Sequence, residues 1–176
     1  MTALFKRHPS LLATLALAAL LAGCGRAGEA PASAAVEIGP GTVCELDGML
    51  LADYPGPKAQ IHYEGANAPE FFCDTVELFS MLLKPEQVRK VRVAYVQDMG
   101  HAEWDHPQGH WIDAKAGWYV LGSKRQGSMG PTIASFAQET DAQHFAGEYG
   151  GRVLRYADIH PEMVDLSGGA QHDMKM

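Results

Sequence analysis

Glu70-Phe71-Phe72-Cys73-Asp74-Thr75-Val76-Glu77-Leu78-Phe79-Ser80-Met81-Leu82-Leu83-Lys84-Pro85 is the stretch in which the pattern of the chain changes period. Glu70–Phe72 is aromatic and reads as a short strand. Beyond it, Val76, Leu78, Phe79, Leu82 and Leu83 recur at helical spacing and share one face. Asp74 stands at the N-cap position and Pro85 just past the end, so the pattern predicts a helix over Thr75–Leu83. Upstream, Ala59–Tyr63 reads as a strand; downstream, Val91–Gln97 does too, from β-branched and aromatic residues with alternation. The order is strand, strand, helix, strand. A second set repeats it: strand Gly117–Leu121, strand Ile133–Phe136, helix Asp141–Tyr149 closed by Gly150-Gly151, and strand Arg152–Tyr156. Phe136 precedes the second helix as Phe72 precedes the first. The expected fold is therefore α+β, two tandem ββαβ units packed together, at about 58–98 and 111–160. Tyr54-Pro55-Gly56-Pro57 and the run from His101 to Gly109 are the turn-rich breaks.

The chain has 176 residues, 47% hydrophobic and only 20% charged, too apolar for a disordered protein. At its start Lys6, Arg7 and His8 precede an apolar run from Leu11 to Leu21. That run is too short to span a bilayer and suits the apolar core of an export signal. It ends in Leu21-Ala22-Gly23-Cys24, which resembles the bacterial lipobox. Cys24 would be diacylated and become the mature N-terminus; the alternative is an ordinary signal with a chance cysteine. Acyl chains on one residue suffice to hold a protein at a membrane without a spanning helix. Gly25, in place of Asp, points to the outer membrane. The layout expected is a signal peptide over 1–23, a lipidated tether over 24–41, a body over 42–166 and a flexible tail over 167–176. The tether is Ala, Gly, Pro and Ser with little to pack. Once Lys6 and Arg7 are removed, 12 basic residues face 21 acidic ones. So acidic a mature chain excludes nucleic acid and a basic membrane-surface patch.

Besides Cys24 there are two thiols, Cys44 and Cys73. No C-x-x-C or C-x-x-C-H occurs, nor G-x-S-x-G, H-E-x-x-H or a P-loop, so the usual enzyme signatures are missing. In Cys44-Glu45-Leu46-Asp47-Gly48-Met49 a thiol and a thioether lie across a glycine. They converge if the chain bends there. Thiolate with thioether is the donor set of a soft, low-coordinate ion, above all Cu(I). Zinc prefers more thiolate or imidazole. The alternative is a Cys44–Cys73 disulfide with Met49 in the core, at home in an oxidising compartment. Met129, in Gly127-Ser128-Met129-Gly130-Pro131, is a third candidate ligand, because small neighbours let an ion approach. Met99 has the same look, whereas Met81 belongs to helix packing. His101, His106 and His110 share a loop with Trp104 and Trp111. Either they bind metal or the tryptophans anchor the loop while the histidines face solvent. His62 and His144 read as surface or hydrogen-bonded residues, and His172, Met174 and Met176 as a loose copper trap or a solvated end. Asp53, Asp74, Asp98 and Asp113 fit caps and turns. No acid stands out beside paired thiols.

Taken together, Cys44 to Met49, Asp53-Tyr54-Pro55-Gly56-Pro57-Lys58, Phe71-Phe72-Cys73-Asp74-Thr75, Tyr95-Val96-Gln97-Asp98, Gly122-Ser123-Lys124 and Gly127 to Pro131 resemble the NosL family over roughly Cys44 to Ile159. These are lipoprotein accessory factors of nitrous oxide reductase. The resemblance implies a periplasmic Cu(I) chaperone, not an enzyme, with a topology related to organomercurial lyase. It implies copper supply for the multicopper sulfide centre of the reductase. The implied partners are the apo-enzyme, the NosDFY transporter complex and the membrane reached through Cys24, with no nucleic acid. It places Cys44 and Met129 as copper ligands and Met49 next, and leaves Cys73 unassigned. Two other classes stay open: a structural lipoprotein with a Cys44–Cys73 disulfide, and a lyase-like enzyme.

Overall fold

The computed structural model describes residues 33–164 and 166. The readings of the signal peptide, of Cys24 and of the His172, Met174 and Met176 tail lie outside the described residues. Among the described residues, no helix is long and apolar enough to cross a membrane.

The chain folds as β1 (Ala59–Tyr63), β2 (Glu70–Phe72), α1 (Thr75–Leu82), β3 (Val91–Gln97), β4 (Trp111–Asp113), β5 (Trp118–Gly127), β6 (Gly130–Phe136), α2 (Glu139–Tyr149) and β7 (Arg152–Arg155). One sheet has the order β2-β1-β3-β4 and the other β6-β5-β7, with all neighbours antiparallel. This is the expected α+β class, with strand, strand, helix, strand in each half. In both halves the first strand is central. The second and third strands flank it and run parallel to each other, so only a long crossover can join them, and the helix provides it. Phe72 and Phe136 are equivalent by register: Phe72 lies opposite Ala59, the first residue of β1, and Phe136 opposite Trp118, the first of β5.

Three features depart from the expectation. β4 was not anticipated, because three residues carry no readable alternation. β5 runs on to Gly127 through a register irregularity between Leu121 and Gln126. That polar extension reads as a loop since it is a ribbon projecting from the sheet, not a core strand. Finally, residues 33–41 are corrected from free tether to packed segment. The amide side chain of the fully buried Gln60 accepts from Val36 N and donates to Val36 O, both at 2.9 Å. Tyr95 Oη donates to Ser33 O at 2.8 Å. The ties come from side chains far along the chain, which local composition cannot show.

One core serves both halves: Ile61, Phe72, Leu78, Phe79 and Val96 meet Tyr119 and Ile133. Each large apolar side chain so enclosed contributes about 1.5–3 kcal/mol. A second cluster packs Trp104, Phe136 and Phe145 under α2. Polar bonds cross the junction. Thr132 Oγ1 donates to Asp74 Oδ1 at 2.6 Å, Ser135 Oγ to Gln97 O at 2.6 Å, and Met99 N to Ser135 O at 2.9 Å. The junction is tight at Gly127, where a Cβ would lie 2.2 Å from Asp74 Oδ2 and 2.8 Å from Thr132 Cβ. Gly147, on the exposed side of α2, has open space instead. Gly127→Ala is expected to destabilise by about 1–3 kcal/mol, as overpacking does. Gly147→Ala is expected to stabilise by about 0.5–1 kcal/mol, since alanine loses less entropy in a helix. Urea unfolding midpoints of the two variants check this pair of opposite signs.

Candidate metal centre

The segment Thr42 to Leu51 forms a short ribbon. Val43 and Leu50 face each other as an antiparallel bridge, flanked by Cys44 N donating to Met49 O (2.9 Å) and Leu51 N donating to Thr42 O (3.0 Å). At its tip Gly48 takes φ +76°, a left-handed conformation open to glycine, and donates to Cys44 O at 3.0 Å. Asp47 Oδ1 accepts from Met49 N at 2.9 Å. The chain bends where the Cys-to-Met spacing required. Alternation along the ribbon turns Cys44 and Leu51 inward, to 2% and 1% exposure. Glu45 N donates to Phe71 O at 2.8 Å and ties the ribbon to β2.

Cys73 occupies the junction between β2 and α1 and is fully buried. Next to it, Asp74 caps the helix, its Oδ1 accepting from Val76 N at 2.9 Å. One turn on, Glu77 returns to the same spot, as i and i+4 positions do. Its Oε2 accepts from Cys73 N at 3.0 Å and from Cys44 Sγ at 3.1 Å, and lies 3.4 Å from Cys73 Sγ. Ser128 Oγ donates to Cys73 O at 2.9 Å and is 3.2 Å from Cys73 Sγ. Ser128 and Met129 form the two-residue tip of the β5–β6 hairpin between Gly127 and Gly130. Met49 and Met129, with Ile38 and Phe71, pack against Cys44, Leu51 and Cys73. The sulfurs of Cys44 and Cys73 and one oxygen each of Asp47 and Glu77 all lie within 4.8 Å of one another.

A buried cation lies beneath this cluster. Lys58 is wholly enclosed, and its Nζ donates to Pro55 O at 2.8 Å and to Cys73 O at 3.0 Å. Burial pushes Lys58 down to about 8, against the pull of Asp74, Cys73, Glu77 and Cys44. Burial likewise pushes Asp74 up to about 6, although Thr132, the Val76 amide and Lys58 oppose the rise. Its Oδ2 has no hydrogen-bond partner among the described residues. The Cys73 thiol is held well above the ordinary range, first by its hydrogen bond with Cys44, then by burial, with Ser128 opposing. Cys73 is therefore a neutral thiol while the site is unoccupied by a cation. A bound cation would replace the thiol protons, with Lys58 offsetting part of the negative charge left behind.

All three sequence candidates come together here: Cys44, Met49 and Met129. Cys73 joins them, and both cysteines are free thiols, which corrects the disulfide alternative. Glu77 hydrogen-bonds to both sulfurs. Acids do lie beside paired thiols, contrary to the sequence reading, because Asp47 and Glu77 reach them only through the ribbon and helix geometry. Met99 does not reach the site; it packs near Trp104 in the second cluster. The loop histidines follow the solvent-facing reading: Trp104 is buried, and His101, His106 and His110 are exposed. His101 Nδ1 pairs with Asp98 Oδ2 at 2.9 Å and its ring stacks on His110 at 5.8 Å. Lys58, Glu77 and Ser128 had been overlooked. Only the i+4 spacing from Cys73 to Glu77 gave a readable signal.

The donor set fits a soft metal ion: two buried thiols with two half-buried methionines packed against them. Comparison with known proteins agrees. The NosL family model matches residues 35–164. The chain is 38% identical over 175 residues to the copper-binding lipoprotein NosL of Stutzerimonas stutzeri, covering 98% of this chain and 90% of that protein. It is 43% identical over 129 residues to the protein of that name from Achromobacter cycloclastes, covering 71% and 67%. The crystal structure of the copper chaperone NosL from Shewanella denitrificans superposes with a TM-score of 0.71 at 39% identity, covering 75% of this chain and 98% of that one. None of these is named as an enzyme.

The raised Asp74 sets a pH signature for the metal-free protein. An unfolded aspartate ionises near 3.8 and the folded one near 6, so between them the folded state binds more protons. Stability therefore falls as pH rises through that window, by up to about 3 kcal/mol, and is level above it. Urea titrations from pH 4 to pH 7 are expected to show this fall in the native chain and its absence in Asp74→Asn.

Proposed function

Because the chain belongs to the NosL family, we propose that it is a lipid-anchored, periplasmic carrier of Cu(I) that delivers copper for assembly of the multicopper sulfide centre of nitrous oxide reductase. The observation that carries this reading is the packing of two half-buried methionines, Met49 and Met129, against two buried free thiols. Cys44, Met49 and Met129 are its copper ligands, and Cys73 stands where it completes a sulfur set. Thiolate and thioether are matched to Cu(I) in softness, whereas the oxygens of Asp47 and Glu77 are poor donors for it. Those oxygens serve instead to accept hydrogen bonds that orient the sulfurs, as outer groups around a metal do. Burial keeps oxidants from the cargo.

The way the ligands are mounted suits exchange. Cys44 and Met49 belong to a ribbon held to the body by few backbone bonds, while Cys73 and Met129 sit on a helix junction and a hairpin tip. Movement of the ribbon separates the ligands into two pairs, so copper can pass to an acceptor one ligand at a time. On this reading the apo-reductase is the final acceptor and NosDFY the membrane machinery that works with the carrier. Acylation of Cys24 holds it at the membrane, the outer one by the residue that follows.

Anaerobic competition of the reduced chain against a coloured Cu(I) chelator tests the site. One copper per chain is expected. Cys44→Ala is expected to weaken binding by more than about 100-fold and Met129→Ala by about tenfold, bracketing the range seen when groups around a metal are altered. Unchanged affinity in both variants would remove this pocket from consideration.

A further inference from the structure

The outward face of the metal ribbon is apolar. Val43 is 50% exposed, Leu46 39% and Leu50 39%. Val43 and Leu50 form a pair not hydrogen-bonded to each other, so their side chains lie close together on one face. Leu46 lies in the turn that joins the two arms. The same two-residue alternation that sends Cys44 and Leu51 into the site sends Val43 and Leu50 out, and Leu46 is exposed at the turn between them. Half of the six large hydrophobic residues described as exposed are thus on the short segment that carries Cys44 and Met49. Solvated apolar side chains grouped in this way mark an interaction surface.

The charge of the segment that carries the patch points to the partner; Arg89, which lies near Glu45, is already paired with Glu70. From residue 33 to Pro57 the chain has no Lys or Arg, and its charged residues are Glu37, Glu45, Asp47 and Asp53, all exposed. A second copy of the chain would present the same acidic segment and be repelled, as would an anionic lipid surface. The sulfurs of Cys44 and Cys73 are buried, so no ligand from another protein reaches them unless the ribbon shifts. We infer that the Val43, Leu46 and Leu50 face is where the copper acceptor docks, and that the acceptor is a protein with an apolar patch ringed by Lys or Arg. Docking there grips the element that carries Cys44 and Met49, and leaves Cys73 and Met129 behind on the body. Partner recognition and opening of the site are then one event. This rests on the copper-carrier reading above and names the surface through which it operates.

The test uses the copper-loaded chain with four variants, Val43→Ser, Leu46→Ser, Leu50→Ser and Glu45→Lys. Copper affinity and withdrawal by a small Cu(I) chelator are measured first, then the rate of transfer to copper-depleted nitrous oxide reductase at low and high salt. The chelator results are expected to stay within about twofold of the native chain, since the chelator needs no docking surface. Transfer to the protein is expected to slow by at least about tenfold in Leu46→Ser and in Glu45→Lys, and native transfer to slow with salt. Glu45→Lys keeps the test independent of any packing loss in the serine variants. Native transfer rates in all four variants, with copper still held, would overturn the docking surface. So would native dimerisation in sedimentation, or binding to phosphatidylglycerol vesicles, that the variants abolish. No transfer from the native chain to the reductase would instead overturn the delivery reading, and this inference with it. Failure of the native chain to hold copper against the chelator would overturn the carrier reading, and this inference with it.

Discussion

One carboxylate oxygen, Oδ1 of Asp74, accepts both the Val76 amide and the Thr132 hydroxyl. The first bond sets where α1 begins; the second binds that start to a strand of the other half. Everything at the site is measured from this point. Cys73 is held just outside the helix, where its amide can donate to Glu77 rather than into the helix ladder. Glu77 is held one turn inside, where its carboxylate returns to the sulfurs. The other oxygen of Asp74 presses against the backbone at Gly127, beside Ser128 and Met129. A single helix cap thus aligns residues from two separate parts of the chain, the entrance of α1 and the β5–β6 hairpin. Its cost is a buried carboxyl without a full set of partners, visible in its raised pKa.

The topology shared by the two halves makes plain what each supplies. Register equates Phe72 with Phe136, so Cys73 corresponds to Ala137, Asp74 to Gln138 and Glu77 to Asp141. In the second half the Gln138 side chain makes no cap bond, and no thiol stands at the junction. The second unit serves the site differently. Its first two strands run past the sheet as a ribbon whose tip carries Ser128 and Met129 back to the first unit. The same topology therefore places one site at a helix entrance and completes it with a hairpin.

Lys58 shows how the pocket tolerates its charges. A lysine with no access to water is costly, and its lowered pKa records that cost. It is retained between Pro55 O and Cys73 O, directly under the cluster that loses protons when a cation binds. The ammonium below offsets part of the negative charge that the carboxylates and deprotonated thiols of a loaded pocket would carry. Such a balance matters more in an enclosed site than at the surface, because the surrounding protein screens charge poorly.

Much of the fold was legible from the sequence alone. β1, β2, β3 and both helices could be placed to within a few residues, because alternation, helical period, the Asp74 cap and the Gly150 stop are local signals. The Cys44–Met49 bend was legible for the same reason, since one glycine in a short segment permits it. β4 was not, because three residues show no alternation; nor was the end of β5, a polar ribbon off the core; nor the docking of residues 33–41, whose partners lie far along the chain. The site divides along the same line. Donor chemistry, thiol with thioether, is written in residue identity and pointed to Cys44, Met49 and Met129. That Cys73 is the second thiol, that Glu77 and Lys58 flank it, and that Met99 and the loop histidines stay apart were decided only by tertiary structure. Cys44, Cys73 and Met129 are brought together by a ribbon, a helix cap and a hairpin from different elements, and sequence spacing does not encode distance between elements.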